Sequence, residues 1–335
     1  MTSKSNDKKC TVIPVHALCA YKYSTTNVGD DIQTIASISR FSSKVIDFVD
    51  RDNFWIYSSE EPVYLMANGW YTHHITMTNH GVVEPSQCKG FYNFPPITSS
   101  LKPIFIGIHM ATGNALAPRG IELMKQHCNE YQCLIGARDT WSKDFFNSHG
   151  IPSFFSGCPT LGLGKYYLND NNTKDDIMLI NDVPPETAKA CIESYRDFIP
   201  VYLTQYAKIK GSQDECIERA KQYLRLYARA RLVVTSRLHT ALPCLALGTP
   251  VIFIHSLPKH KRFKDYLRFF GYVSDLCPST FPPFEQLAHK ALLTKDYAAK
   301  IASHQQHLIS NRIECVSMSS EVISSLEDLL CKTPA

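Results

Sequence analysis

The sequence predicts an α/β protein built as two Rossmann-like domains facing a central cleft. Three observations carry this. The chain has 335 residues, and at roughly 100–200 residues per domain that length suits two. Short apolar runs rich in Val, Ile, Leu and Phe alternate with helix-like segments, the pattern of buried parallel strands with crossover helices. The alternation stops at the polar, turn-forming stretch from Leu168 to Asp176 and then restarts. The expected domains are residues 1–167 and 168–335, the second carrying a helical tail.

The elements follow in order. In the first half the strand candidates are Val12–Leu18, Lys44–Val49, Val63–Ala67, Ile104–His109 and Cys133–Ala137. The helix candidates between them are Asp31–Arg40, Ala117–His127 and Thr140–His149. The last has Asp139 as an N-cap residue and Gly150 as its stop. In the second half strands are expected at Ile177–Asn181, Val201–Thr204, Leu232–Thr235 and Val251–Ile254. Helices are expected at Pro185–Tyr195, Gln213–Ala228 and Leu238–Leu247, with Pro184 and Pro185 at a start and Gly248 before Pro250 at a stop. Pro283 to Leu330 reads as mostly helical. No repeat of fixed period is present, which excludes solenoids and propellers.

Composition narrows the function classes. Apolar residues make 44% and charged residues 20%, which excludes a disordered chain. The net charge of +4 is too mild to imply nucleic acid, yet it favours an anionic small-molecule substrate. Twelve cysteines are scattered without a CxxC pair, so neither a zinc site nor any other metal site is expected. They read as small buried hydrophobes in a reducing, cytoplasmic compartment. No apolar run reaches the ~18 residues of a membrane span, so contact with a membrane would be peripheral.

In open α/β sheets ligands bind beyond the C-terminal ends of strands, so the residues just after each strand are the candidates. The segment Asn27-Val28-Gly29-Asp30-Asp31-Ile32-Gln33 follows the first strand. Gly29 permits a tight turn there, and Asp30 or Asp31 can cap the helix. Its helix N-terminus can face an anion, or it is an ordinary capped turn. At Gly136-Ala137-Arg138-Asp139-Thr140-Trp141-Ser142, Arg138 offers a planar fork to a carboxylate or phosphate, or pairs with Asp139 in a surface turn. The strongest segment is Thr235-Ser236-Arg237-Leu238-His239-Thr240, a polar insert between apolar runs. Arg237 can hold an anion bidentately and His239 can exchange a proton near neutral pH. His109 and His255 also end strands and are further substrate-site candidates. The aromatic loops Asn68-Gly69-Trp70-Tyr71 with His73-His74, and Phe91 to Pro96, can stack a sugar or pack internally. The basic run from Lys259 to Lys264 can meet an anionic glycan or lipid headgroup, or start a solvated helix.

Taken together and in order, Asn27–Gln33 with Asp30, Ala137–Ser142, Ser236–His239 and Leu247–Val251 resemble the polysaccharide pyruvyl transferase family. The resemblance covers roughly residues 15 to 255. It implies a GT-B-like pair of domains, acceptor side first and donor side second. It also implies phosphoenolpyruvate as donor, with no cofactor, and a carbohydrate acceptor, free or lipid-linked. The product would be a pyruvate ketal on a sugar hydroxyl pair, with phosphate released, as part of polysaccharide biosynthesis. The resemblance places the donor-site arginines at Arg138 and Arg237, the histidine at His239 and the Gly-Asp turn at Gly29 and Asp30. With the chemistry of the residues and their places at strand ends, Arg237, His239 and Asp30 are expected in catalysis, and Arg138, Asn27, Gly29, Ser236, His109 and His255 on the substrates. Two segments depart from the family pattern: Asn68–Tyr71 stands where a Gly-rich turn is usual, and Ser156-Gly157-Cys158-Pro159 where an Asp-Pro is usual. The competing readings are a GT-B glycosyltransferase with a nucleotide-sugar donor and an inactive glycan-binding module. A nucleic-acid partner is not expected, since no basic stripe interleaves with aromatics.

Overall fold

The computed structural model describes residues 18–23, 25–40, 47–71, 95–110, 118–167, 174–256, 260–273, 281–313 and 320–332. The first half begins with β1 (Leu18–Lys22), α1 (Val28–Ile38), β2 (Asp47–Asp50), β3 (Val63–Tyr71) and β4 (Leu101–Met110). It continues with α2 (Pro118–Tyr131), β5 (Ile135–Ala137), α3 (Thr140–Ser148), β6 (Ser153–Phe155) and the short α4 (Gly164–Tyr167). The second half holds β7 (Asp175–Asn181), α5 (Pro185–Ser194), β8 (Ile199–Leu203), α6 (Gln213–Arg229) and β9 (Ala230–Thr235). After these come α7 (Leu238–Leu247), β10 (Val251–Ile254), β11 (Gly271–Val273), α8 (Phe284–Ile313) and α9 (Ser320–Cys331).

The strands form two parallel sheets, one ordered β2-β1-β3-β4-β5-β6 and the other β8-β7-β9-β10-β11. Both follow the doubly wound plan, in which the order reverses beside the first strand and opens a crevice there. The reversals lie between β1 and β3 and between β7 and β9. This is the α/β, GT-B-like class expected from the sequence.

The polar helix α1 shows how the halves join. Val28 through Ser37 are all buried, although the stretch contains Asp30, Asp31, Gln33, Thr34 and Ser37. A buried polar group is costly unless it is paired. Gln33 Nε2 donates to Asp30, Thr34 Oγ1 donates to the Tyr21 carbonyl, and Ser37 Oγ donates to the Gln33 carbonyl. Lys210, from the second half, donates to Asp31 at 3.1 Å. Val28 N–H donates to the Gln205 carbonyl and Ala207 N–H to the Thr26 carbonyl, so backbone bonds also cross between the halves. One hydrophobic cluster runs from β3 and β4 through α1 to α6 and α7, and a second fills the far face of the β7–β11 sheet.

The helical tail reaches both halves. α8 starts with Leu287 and Ala291 buried in the second half. Further along, its Ala302 carbonyl and Gln305 side chain accept from Arg40 of the first half. In α9, Glu327 accepts from Lys143 and from the Phe155 N–H, both at 2.8 Å. Among the described residues no helix is long and apolar enough to cross a membrane.

Several expectations are corrected. α1 starts at Val28 rather than Asp31, and its cap is Asn27, whose side chain accepts from Gly29 N–H, not Asp30 or Asp31. Asn68–Tyr71 is no loop: it extends β3, with a register shift between Ala67 and Gly69 and a φ of 106° at Gly69. β6 and β11, three residues each, were not expected. The basic run is a turn over Lys261–Tyr266 rather than a helix start. The strand expected at Val12–Leu18 lies outside the described residues except for Leu18, which opens β1. So do His73-His74, Phe91–Phe94 and most of the polar break.

Candidate active site

A cavity of about 710 Å³ lies where β7 and β9 end, at the reversal of strand order in the second sheet. Its walls include Asp182 and Val183 after β7, Ser236 and Arg237 after β9, and His255 after β10. Asn27 and His239 come from the starts of α1 and α7, and His260 and Arg262 from the basic turn.

Arg237 is the N-cap residue of α7 and its side chain makes no cap bond. The first N–H groups of that ten-residue helix therefore point out unpaired by any side chain, a favourable place for negative charge. The guanidinium is held from two sides. Its Nε donates to Asp182 Oδ2 at 2.9 Å, and its carbon lies 4.8 Å from the Tyr206 ring centroid. Asp182 is itself constrained, with a φ of 52°, and also accepts from Gln205 N–H while its carbonyl accepts from Ser236 Oγ at 2.6 Å. Non-glycine residues in that region of backbone space cost of order 1–3 kcal/mol and concentrate at functional sites.

His239 is 3% exposed. Its Nε2 lies 3.3 Å from Nη1 of Arg138. Arginine only donates, so Nε2 accepts and the ring is neutral with its proton on Nδ1. The surroundings agree: burial, then Arg138, Arg262 and His109, hold the imidazolium well below its ordinary range. Gly29 packs against this histidine. A Cβ there would stand 2.9 Å from Gln205 Oε1 and 3.1 Å from His239 Cβ. Gly29 thus serves close approach inside α1, not the tight turn expected of it.

Arg138 is fully buried, which excludes a surface turn with Asp139. Its backbone is fixed by N–H to the Ile108 carbonyl and by its own carbonyl, which accepts from Tyr266 Oη. Its Nε and Nη2 are buried and have no acceptor among the described residues. Those two atoms form one edge of the guanidinium fork, the edge that binds a carboxylate or phosphate bidentately.

Asp139 is engaged elsewhere. It caps α3 through Ser142 N–H and accepts from Nδ1 of His109 at 2.5 Å. Burial pushes its carboxyl up, but His109 and Arg138 outweigh this and hold it below the usual range. His109 is pushed down to about 4 by burial and then Arg138, in spite of Asp139. Its ring is thus committed to the Asp139 carboxylate.

The predicted residues therefore divide. Arg237, His239, Ser236, Asn27 and His255 line the cavity, and Arg138 touches it through His239. Gly29 packs behind His239. Asp30 is absent from the cavity lining, and its oxygens accept from Thr25 at 2.6 Å and Gln33 at 3.2 Å. His109 sits in the layer behind Arg138. Of the basic run from Lys259 to Lys264, His260 and Arg262 line the cavity. Sequence reasoning missed Asp182, Gln205 and Tyr206, of which Asp182 carried a local signal, as an acidic residue directly after a strand. Among the described residues no cluster of three or more His, Cys, Asp or Glu is placed to hold a metal.

Fold and cavity define a two-lobed α/β protein with a basic ligand site at a strand switch point. The chain belongs to the polysaccharide pyruvyl transferase family, whose model matches residues 27–256. No curated protein matches it significantly. Among solved structures it is similar to S. aureus MnaA with UDP, at 10% identity over 90% of this chain and 98% of that one, TM-score 0.46. It is similar to an uncharacterised protein from Klebsiella pneumoniae at 14% identity, covering 77% and 92%, TM-score 0.45. It is also similar to a Methanocaldococcus jannaschii UDP-GlcNAc 2-epimerase with UDP-GlcNAc and UDP, at 10% identity, covering 84% and 93%, TM-score 0.37.

Proposed function

We propose that this protein transfers the pyruvyl group of phosphoenolpyruvate onto a pair of carbohydrate hydroxyls, forming a ketal and releasing phosphate. The observation that carries the reading is the excess of positive charge at one cavity. Arg237 lines it at the uncapped start of α7, Arg138 reaches it from the other half through His239 of that helix, and of the two only Arg237 has an ion-pair partner among the described residues. A ligand with two anionic ends answers both arginines, and phosphoenolpyruvate has a carboxylate and a phosphate. A cavity of about 710 Å³ suits the donor with a sugar beside it.

The chemistry balances with one proton carrier. Each acceptor hydroxyl gives up one proton. One ends on C3 of the enol, turning the methylene into a methyl, and the other ends on the departing phosphate. C2 gains two C–O bonds to the sugar, loses its bond to the phosphate oxygen and loses its C=C π bond. His239 starts neutral with Nε2 as its one lone pair, so when the donor carboxylate draws Arg138 away that nitrogen acts first as a base toward the first hydroxyl. As an imidazolium among anions it is then the acid that protonates C3. Arg237 and the α7 N–H groups stabilise charge on the leaving phosphate. We infer a reducing cytoplasm as the setting, which the free thiols of Cys128, Cys133, Cys158, Cys191, Cys216, Cys244 and Cys331 support.

Calorimetric titration with phosphoenolpyruvate, beside a panel of nucleoside diphosphates, tests the reading. Saturable phosphoenolpyruvate binding that disappears in Arg237→Ala is expected. In a phosphate-release assay with diol sugars, that variant should lose on the order of a thousandfold in rate. Binding of a nucleotide with phosphoenolpyruvate silent would instead establish a glycosyltransferase donor.

A further inference from the structure

Arg262 belongs to the cavity wall, yet the sequence marked it only as part of a basic run and the reaction above gives it no task. It stands in the turn Lys261–Tyr266, and among the described residues its side chain makes no ion pair. Its Nε is buried without an acceptor. Burial and then Arg138 push its guanidinium down to about 10, with Arg237 adding to this and Asp30 and Asp139 opposing. Like charges held together in a protein interior are costly unless a counter-charge arrives.

The turn is fastened to the opposite half of the molecule. Asp265 accepts from Thr140 N–H at 2.9 Å and from Thr140 Oγ1 at 3.0 Å. Lys261 Nζ lies 3.6 Å from the Trp141 ring centroid. Tyr266 Oη donates to the carbonyl of Arg138 itself. A second-half turn is thus tied to the very residues that present Arg138, which fixes the two guanidiniums relative to one another.

We propose that Arg262 is a third arm of the anion clamp, taking the phosphate end of the donor, and that Asp265 is the residue that positions it; this rests on the donor reading above. The phosphate is assigned to this wall by charge. Arg237, Arg262 and the α7 N-terminus line one cavity and match a dianion, with His260 beside them as a neutral hydrogen-bonding group. Arg138 beside a neutral His239 offers one positive charge, which matches a carboxylate.

Calorimetry on the purified chain decides it, with phosphoenolpyruvate, inorganic phosphate and pyruvate as probes. In Arg262→Gln, affinity for phosphoenolpyruvate and for inorganic phosphate should fall by the same factor, tenfold or more, with pyruvate within twofold. Should that variant fail to fold, Arg262→Lys, which keeps the charge but not the fork, should still weaken phosphate threefold or more. Asp265→Ala should raise KM for phosphoenolpyruvate with kcat within threefold, and Asp265→Asn should restore it by accepting again from Thr140. Unchanged phosphate affinity in a folded Arg262 variant overturns the assignment, and so does a larger loss for pyruvate than for phosphate. Unchanged KM in Asp265→Ala overturns the positioning role. A parent protein that binds neither phosphoenolpyruvate nor phosphate overturns the donor reading beneath it, a result distinct from the others.

Discussion

Two strand-to-helix turns of this molecule are built from similar parts and finished in opposite ways. β5 runs through Arg138 and Asp139 into α3, and β9 runs through Ser236 and Arg237 into α7. At the first turn two aspartates close the helix start: Asp139 accepts from Ser142 N–H and Asp265 from Thr140 N–H. At the second no side chain caps the helix, and Arg237 stands 36% exposed beside the cavity. The arginine at the closed turn is fully buried with two donors unanswered, while that at the open turn is held by Asp182 and Tyr206. A closed helix start binds its own chain. An open one keeps its partial charge for a ligand. The anion site is therefore a composite: the second turn supplies the field, and the first supplies a guanidinium that the protein itself does not satisfy.

The largest effect is expected where that dissatisfaction is removed. Arg138→Met keeps much of the buried volume and deletes two donors whose burial costs about 1–3 kcal/mol each when unpaired. Turnover of phosphoenolpyruvate should fall by about a thousandfold or more, while the melting temperature stays level or rises. Function and stability would then oppose one another at this residue. Assay and melting curve on the same preparation decide it. Retained turnover, or a protein that melts far below its parent, would break the contrast between the turns.

How legible the turns were in the sequence follows from what each depends on. The bounds of α7 and β10 were read without error, because Gly248, with a φ of 67°, and Pro250 are local punctuation. Asp139 as the α3 cap was legible for the same reason. The start of α1 was misplaced because its polar residues resemble a turn. Only packing against the second half, through Lys210 and Gln205, makes a buried helix of them. β6 and β11 are three residues long, too short to show a period. In the site, Arg138, Arg237 and His239 were legible because each directly follows or opens an element. Arg262 showed only as one member of a basic run, and Asp265 not at all, since its meaning is a contact with Thr140 more than a hundred residues away.

A second, intermediate effect concerns acid. His109 titrates at about 4 in the fold against about 6.5 in an unfolded chain. Between those values the unfolded chain binds the extra proton, so stability rises with pH across that window and is lost as pH falls from about 6.5 to about 4. His239 is depressed as well, so it acts with the same sign. Urea midpoints at pH 7 and pH 4.5 should separate clearly in the parent and draw together in His109→Gln. Equal separation in both proteins would show that His109 does not carry the acid sensitivity of the closed turn.

The smallest effect sharpens the account of the open turn. Tyr206 is 52% exposed and its ring backs the Arg237 guanidinium, while Asp182 holds the other side. An exposed cation–π contact contributes about 0.5–1 kcal/mol. Tyr206→Leu should therefore weaken phosphoenolpyruvate about two- to fivefold in KM and leave kcat nearly unchanged, because the Asp182 bond still aims the guanidinium. A fall in kcat of the size expected for Arg237→Ala would mean that the ring touches the reacting atoms. The open turn would then be a substrate-stacking surface as well as an anion site.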